Sequence, residues 1–283
     1  MSSADYLLSD SASELERLRL QARVWEPETE AWLDQFGPMT GWRCLDLGCG
    51  AMGILGPLAQ RVGPSGHIIG VDVDPMQLRG ARAFVADNKL ANVEIIEADA
   101  YASSLPDNSF DLAHVRFLFA PVGRDAQLMN ELWRVTKPGG TIAIQEPDAA
   151  AWGCYPPSDA WDRLKTVIGE VFRRGGGDIN AGRRTHAMLQ ERGAEDVRVR
   201  AAIVALAPSH PLSAPAYSVR DVAEKPNLGR RANEQVRTGR SNRRMRAGGF
   251  EHPNYWDYVC GYASARTQAS VTVTAGAADG RSL

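Results

Sequence analysis

Residues 43–53 read RCLDLGCGAMG: a short apolar run broken by one carboxylate, Asp46, and closed by glycines at Gly48, Gly50 and Gly53. No other stretch narrows the fold as far. Glycine lacks a Cβ and tolerates positive φ, so a strand that ends in such a loop and restarts as a helix brings bare backbone against a ligand. The helix then points its free N–H groups at the same place. As a bare pattern this is G-x-G-x-x-G, shared by nucleotide-binding folds of several chemistries. Two later runs narrow the choice: residues 68–75 (IIGVDVDP) read as a buried strand ending at Asp72, and residues 93–100 (VEIIEADA) as another ending at Asp99.

Between and after these runs, helical periodicity alternates with short apolar runs. Residues 55–62 (LGPLAQRV), 76–88 (MQLRGARAFVADN) and 125–135 (DAQLMNELWRV) read as helices; residues 110–119 contain a fourth strand, and 141–148 (TIAIQEPD) a fifth after the turn KPGG. Strands alternating with helices predict an α/β fold, a parallel sheet joined by right-handed crossovers. Ligands of such sheets lie beyond the carboxyl ends of the strands. Those ends are Asp46, Asp72, Asp99, Arg116 and Glu146.

With these motifs in order, residues 41–148 resemble the class I S-adenosylmethionine-dependent methyltransferases, in particular the small-molecule enzymes of the type 11/25-like group whose glycine loop reads D-x-G-C-G. One departure is local: the third glycine of that pattern usually follows residue 51 directly, and here Met52 stands there with Gly53 behind it. The resemblance implies a Rossmann-like three-layer sandwich, a mostly parallel seven-stranded sheet with an N-terminal helical cap, and S-adenosylmethionine as cofactor. That ligand has no phosphate to seek a helix N-terminus; its ribose diol, adenine amino group and sulfonium suit carboxylates. By resemblance Asp72 receives the ribose hydroxyls, Asp99 beside Ala100 the adenine amino group, and Val73 and Gln77 flank ring and sugar. Gly48, Cys49 and Gly50 run beneath the methionine portion, with Asp46 ordering the loop or reaching the ammonium through water. Carbonyls of residues 115–117 take the ammonium, Arg116 binds a cofactor or substrate carboxylate, and Tyr6 and Gln21 reach over from the cap.

The resemblance divides the chain into a cap (residues 1–36), a cofactor-binding core (37–206) with a substrate cover at 151–180, and an atypical C-terminal segment (207–283) whose last strand is expected at 257–266. Pro27 is read as opening a second cap helix. Trp152, Tyr155, Trp161 and Phe172 are candidates for an apolar wall around the acceptor. From Arg220 to Arg246 nine Arg or Lys stand against three Asp or Glu, a composition that buries little by itself.

Composition excludes several classes. The 283 residues carry a net charge of −2, so no global field draws the chain to nucleic acid or membrane. No apolar run approaches the ~20 residues of a membrane span, and the polar start lacks a signal peptide's regions, which reads as cytoplasmic. Cys44, Cys49, Cys154 and Cys260 form no C-x-x-C pair, so no metal is expected. AHVRF in place of an N-P-P-Y-type signature after the fourth strand favours a small-molecule methyl acceptor over nucleic acid; a homodimer is compatible with the sequence. For an acceptor that needs a base, Glu146 and His114 are the leading catalytic candidates, with Asp148 and His186 behind. Two other readings remain: an NAD(P)-dependent oxidoreductase, which leaves Asp46 and Asp99 unexplained, and a non-catalytic cofactor-binding protein.

Overall fold

The computed structural model describes residues 12–206, 210 and 265–276. Its elements in order are α1 (Ala12–Leu33), β1 (Arg43–Leu47), α2 (Leu55–Val62), β2 (His67–Asp72), α3 (Pro75–Asp87), β3 (Val93–Glu97), β4 (Phe110–Arg116), the one-turn α4 (Phe119–Val122), α5 (Asp125–Val135), β5 (Thr136–Pro147), β6 (Gly153–Tyr155), α6 (Asp159–Arg174), α7 (Gly182–Glu191), β7 (Glu195–Leu206) and β8 (Ala265–Gly276).

Five strands form the parallel body in the order β3-β2-β1-β4-β5. That is fewer than the seven expected. The sheet continues instead through antiparallel β8, which pairs with β5, β6 and β7. The chain winds outward from β1 in both directions, so the switch in strand order falls between β1 and β4, the place at whose carboxyl edge sheets of this kind hold their ligands. The KPGG segment is an irregularity inside β5: the register jumps from Phe110↔Thr136 to Leu112↔Thr141.

Side-chain alternation builds one core on each face of the sheet. Cys44, Ile68, Leu112 and Ala143 turn to α1, α2 and α3, where Trp32, Leu33, Leu55, Leu58 and Ala81 complete the layer. Leu45, Leu47, Ile69, Val71, Val115, Ile142 and Ile144 turn to α5 and α7, packing on Leu128, Met129, Leu132 and Leu189.

The cap is one helix rather than two. Pro27 lies inside α1. The carbonyl its missing N–H leaves open belongs to Arg23, on the exposed side of the helix. Burial of Trp25, Trp32 and Leu33 holds the helix through that gap. Arg61 of α2 ties its end down, meeting Glu30 at 2.5 Å and Asp34 at 2.6 Å. Among the described residues no helix is long and apolar enough to cross a membrane, and no cluster of His, Cys, Asp or Glu is arranged to hold a metal ion.

Candidate functional site

The glycine loop leaves β1 after Leu47 and enters α2 at Leu55. Gly48, Gly50 and Gly53 have φ of 75°, 57° and 46°, a region in which side chains are strained. The N–H groups of Gly48 and Cys49 both donate to the Val71 carbonyl at 2.8 Å, stitching the loop to the end of β2. Leu118 packs over Gly48, its Cδ2 standing 3.0 Å from where a Cβ would be. The Cys49 backbone takes part in the loop, but its side chain is buried; burial, Asp72 and Asp46 push the thiol well up, so it stays protonated.

Asp72 ends β2 beside this loop. Its Oδ2 accepts the Gly50 N–H at 2.8 Å, and its Oδ1 accepts those of Val73 at 2.8 Å and Asp74 at 2.9 Å. Burial nevertheless raises its pKa above the usual aspartate value, against the pull of these donors. Asp74 caps α3, accepting from Met76 at 2.7 Å and Gln77 at 3.1 Å. The sequence signal for this cap, an Asp directly before a helix-opening Pro, was present but unread. Gln77 is 7% exposed, and its Oε1 finds no partner among the described residues. That oxygen also lies 3.8 Å from the place a Cβ on Gly50 would take. An orphaned acceptor beside bare backbone and a carboxylate suits a ligand with paired hydroxyl donors, such as a ribose.

Asp99 follows β3 by two residues; its Oδ1 accepts the Tyr101 N–H at 2.9 Å, and Ala100 between them is buried. β2 and β3 are neighbours, and the Ala98 N–H donates to the Asp72 carbonyl at 3.0 Å, so Asp72 and Asp99 share one side of the carboxyl edge. Tyr101, not singled out from the sequence, is 9% exposed with its hydroxyl unpartnered among the described residues and the Arg124 guanidinium 4.3 Å above its ring.

Asp46 and His114 turn inward, to the α1–α2 face, and contact each other at 2.8 Å. The His114–Asp46 pair and the Ile54 N–H outweigh the effect of burial and keep the Asp46 carboxyl below the usual range, so it is ionised. Asp46 therefore orders the loop from beneath. Arg116 donates to the Gly53 carbonyl at 3.1 Å and floors a small hollow with Glu26, Thr29, Met52 and Phe84. Burial lowers its pKa, against Asp46 and Glu26.

Glu146 does not face the candidate site as expected from its strand end. It continues the Ile142, Ile144 alternation toward α4, is fully buried, and accepts N–H bonds from Leu118 at 2.7 Å, Phe119 at 2.9 Å and Ala120 at 3.1 Å. Burial pushes its carboxyl up to about 8 in spite of those donors. His114 is likewise in the core, at 1% exposure. Both side chains are engaged inside the fold, Glu146 with backbone N–H groups and His114 with Asp46. Asp148 is engaged by Arg183 at 2.8 and 3.0 Å. The proposed aromatic wall is dispersed: Phe172 packs on the core and Tyr155 is 73% exposed. Gln21 accepts from Arg17 at 3.2 Å on α1, and Tyr6 lies outside the described residues.

An open sheet with its order reversing at a glycine loop and carboxylates at the two strands beyond it defines a class: a Rossmann-like fold. Residues 39–172 match the methyltransferase domain family. The demethylmenaquinone methyltransferase of Listeria monocytogenes serotype 4a (strain HCC23) is 35% identical over 115 residues, 40% of this chain and 48% of that protein. That of Geobacillus sp. (strain WCH70) is 32% identical over 122 residues, 43% of this chain and 51% of its own. The chain thus spans about half the length of these relatives. Among solved structures, a Bacillus halodurans C-125 protein superposes with a TM-score of 0.56 at 18% identity, covering 88% of this chain and 98% of the other. Haemonchus contortus phosphoethanolamine N-methyltransferase 2, with S-adenosylhomocysteine bound, gives 0.53 at 18% identity over 92% of this chain and 56% of the other. At that identity both show the fold alone.

Proposed function

We propose that this protein transfers a methyl group from S-adenosylmethionine to a small organic acceptor of the quinone or lipid-like kind. One observation carries the reading: the orphaned Gln77 Oε1, the Asp72 carboxylate and the bare Gly50 backbone converge where a ribose would offer its hydroxyls. Asp72 and Gln77 would hold the ribose, Asp99 and Ala100 the adenine, and Gly48, Cys49 and Gly50 the methionine portion, with Val73 against the ring. Arg116, Gln21 and Tyr6 would close the amino-acid end under the cap. When bound, the cofactor supplies an activated methyl carbon for in-line displacement, so the protein's task is position and exclusion of water. Leu118 over Gly48 and Trp25 edge-on to Phe117, their ring centroids 6.2 Å apart, keep the floor of the site apolar. With Glu146 and His114 held inside the fold, an acceptor that brings its own acidic proton suits the site best.

The quinone preference draws on the named activity of the relatives that match the core. Calorimetric titration with S-adenosylmethionine, S-adenosylhomocysteine and NADH tests the cofactor, and transfer of labelled methyl to demethylmenaquinone-like naphthoquinols tests the acceptor. Binding of the two sulfur compounds alone supports the reading; binding of NADH alone replaces it with an oxidoreductase.

A further inference from the structure

Asp46 and His114 stand opposite each other in register on the neighbouring strands β1 and β4. Both side chains are 1% exposed, and His114 Nδ1 lies 2.8 Å from Asp46 Oδ1. An ionised carboxylate only accepts hydrogen bonds, so Nδ1 carries the proton. The other ring nitrogen, Nε2, is buried without a partner among the described residues, and the Trp32 ring lies beside the imidazole with centroids 5.6 Å apart. Among the described residues, only the edge turned to Asp46 makes a polar contact.

The second oxygen of Asp46 acts on the glycine loop. Oδ2 accepts the Ile54 N–H at 3.0 Å. A Cβ built on Gly53 would stand 2.0 Å from the same oxygen and 2.8 Å from the Cys49 carbonyl. Arg116, two residues beyond His114, grips the Gly53 carbonyl from above at 3.1 Å. β4 thus holds the far side of the loop twice, once directly and once through Asp46. This accounts for the displaced third glycine: the carboxylate occupies the space a side chain at residue 53 would need, whereas Met52 remains on the hollow beside α1.

We infer that His114 is a positioning residue for the cofactor loop: its Nδ1–H fixes the Asp46 carboxylate, and that carboxylate sets the turn through Gly53 and Ile54 on which the cradle at Gly48 and Gly50 depends. The inference rests on the reading of that loop as the S-adenosylmethionine cradle. It makes a distinction that mere filling of the core does not. His114→Asn keeps an amide N–H near the place of Nδ1, whereas His114→Gln carries its amide toward Nε2 and leaves Asp46 Oδ1 buried without its donor.

The test is calorimetric titration of S-adenosylmethionine into the wild-type chain, His114→Asn, His114→Gln and Gly53→Ala, each first shown to be folded by thermal melting. Affinity in His114→Asn is expected within about threefold of wild type; in His114→Gln it should fall by about tenfold or more, the effect of losing one charge-assisted hydrogen bond, and in Gly53→Ala by a similar factor, because the new Cβ displaces the Asp46 carboxylate. Nitrogen-15 NMR of the wild-type imidazole is expected to show the tautomer protonated at Nδ1. Equal affinities for the Asn and Gln variants, an unchanged affinity in Gly53→Ala, or protonation at Nε2 instead would each overturn the inference while leaving the cofactor reading intact. Should His114→Gln not fold, Gly53→Ala and the tautomer still decide. A wild-type chain that binds no S-adenosylmethionine, with Nδ1 protonated as expected, would instead overturn the reading of the cradle.

Discussion

Asp72 and Glu146 both end a strand and both accept three backbone N–H groups, yet only Asp72 stays partly open to solvent. Its replacement by Ala should weaken S-adenosylmethionine binding by roughly 10- to 100-fold, the range for a hydrogen bond to a charged group, with the chain still folded. Unchanged affinity on titration would remove Asp72 from the cradle. Glu146 predicts a stability effect instead. Its carboxyl titrates near 8 in the folded protein against an ordinary 4.5, so between those values the folded chain keeps a proton that the unfolded chain has released. Stability from this group is fully present below about 4.5, falls by up to about 1.4 kcal/mol per pH unit as pH rises, and levels off above the folded value. Melting of wild type and Glu146→Gln from pH 5 to 8 checks this: the difference between them should shift in favour of the variant as pH rises, and parallel curves would contradict it. The acids at strand ends were legible because apolar runs stop at them. Their direction was legible too, in principle, since Glu146 continues Ile142 and Ile144 while His114 continues Leu112, but parity has no meaning until the layer on each face is known.

At the scale of elements, the glycine-rich end of α6 does not serve as a loose cover. A Cβ on Gly123 would stand 1.5 Å from the Gly176 carbonyl oxygen, and one on Gly177 would stand 2.1 Å from that of Ala120, while the Asp178 N–H donates to Ala120 at 2.8 Å. The α4 turn and the end of α6 meet backbone to backbone. Gly123 and Gly139 share a positive φ, 69° and 72°, but Gly139 has open space around it. Gly139→Ala should therefore cost only the backbone strain, about 1–2 kcal/mol. Gly123→Ala should cost a further 2 kcal/mol or so from the forced contact. Equal losses in denaturant melts would mean that the two segments do not touch. A run of glycines announces freedom or close approach alike, and the sequence does not distinguish them. Pro27 misled for a related reason: it signals a helix start, but on an exposed face with Trp25 and Trp32 buried on either side it is carried within one helix.

For the whole molecule, the parallel body was readable because each of its strands is an apolar run bounded by turn residues and helices, whereas the place of the last strand was not. That strand was expected at 257–266 and lies at Ala265–Gly276; residues 257–264 fall outside the described part. The run TQASVTVTAG alternates small and hydroxyl residues with valines, a weak signal whose meaning comes from its neighbours. Through its backbone β8 pairs with Thr141–Pro147 of β5 on one side and Glu195–Leu206 of β7 on the other. A chain ending at residue 264 would leave the edges of both strands bare, the β7 edge beside exposed Val199 and Ile203. Bare, long edges pair with other chains. Truncation after residue 264 should therefore lower the melting midpoint by at least about 10 °C, equivalent to a few kcal/mol for a domain of this size, and convert a monodisperse sample into aggregates. Because the proposed cradle of Gly48, Asp72 and Gln77 lies after β1, at the end of β2 and in α3, any truncated chain that remains soluble in the cold should still bind S-adenosylmethionine. Soluble chain without binding would show instead that the cradle draws its rigidity from the full width of the sheet, through β5 and the β4 strand that carries His114 and Arg116.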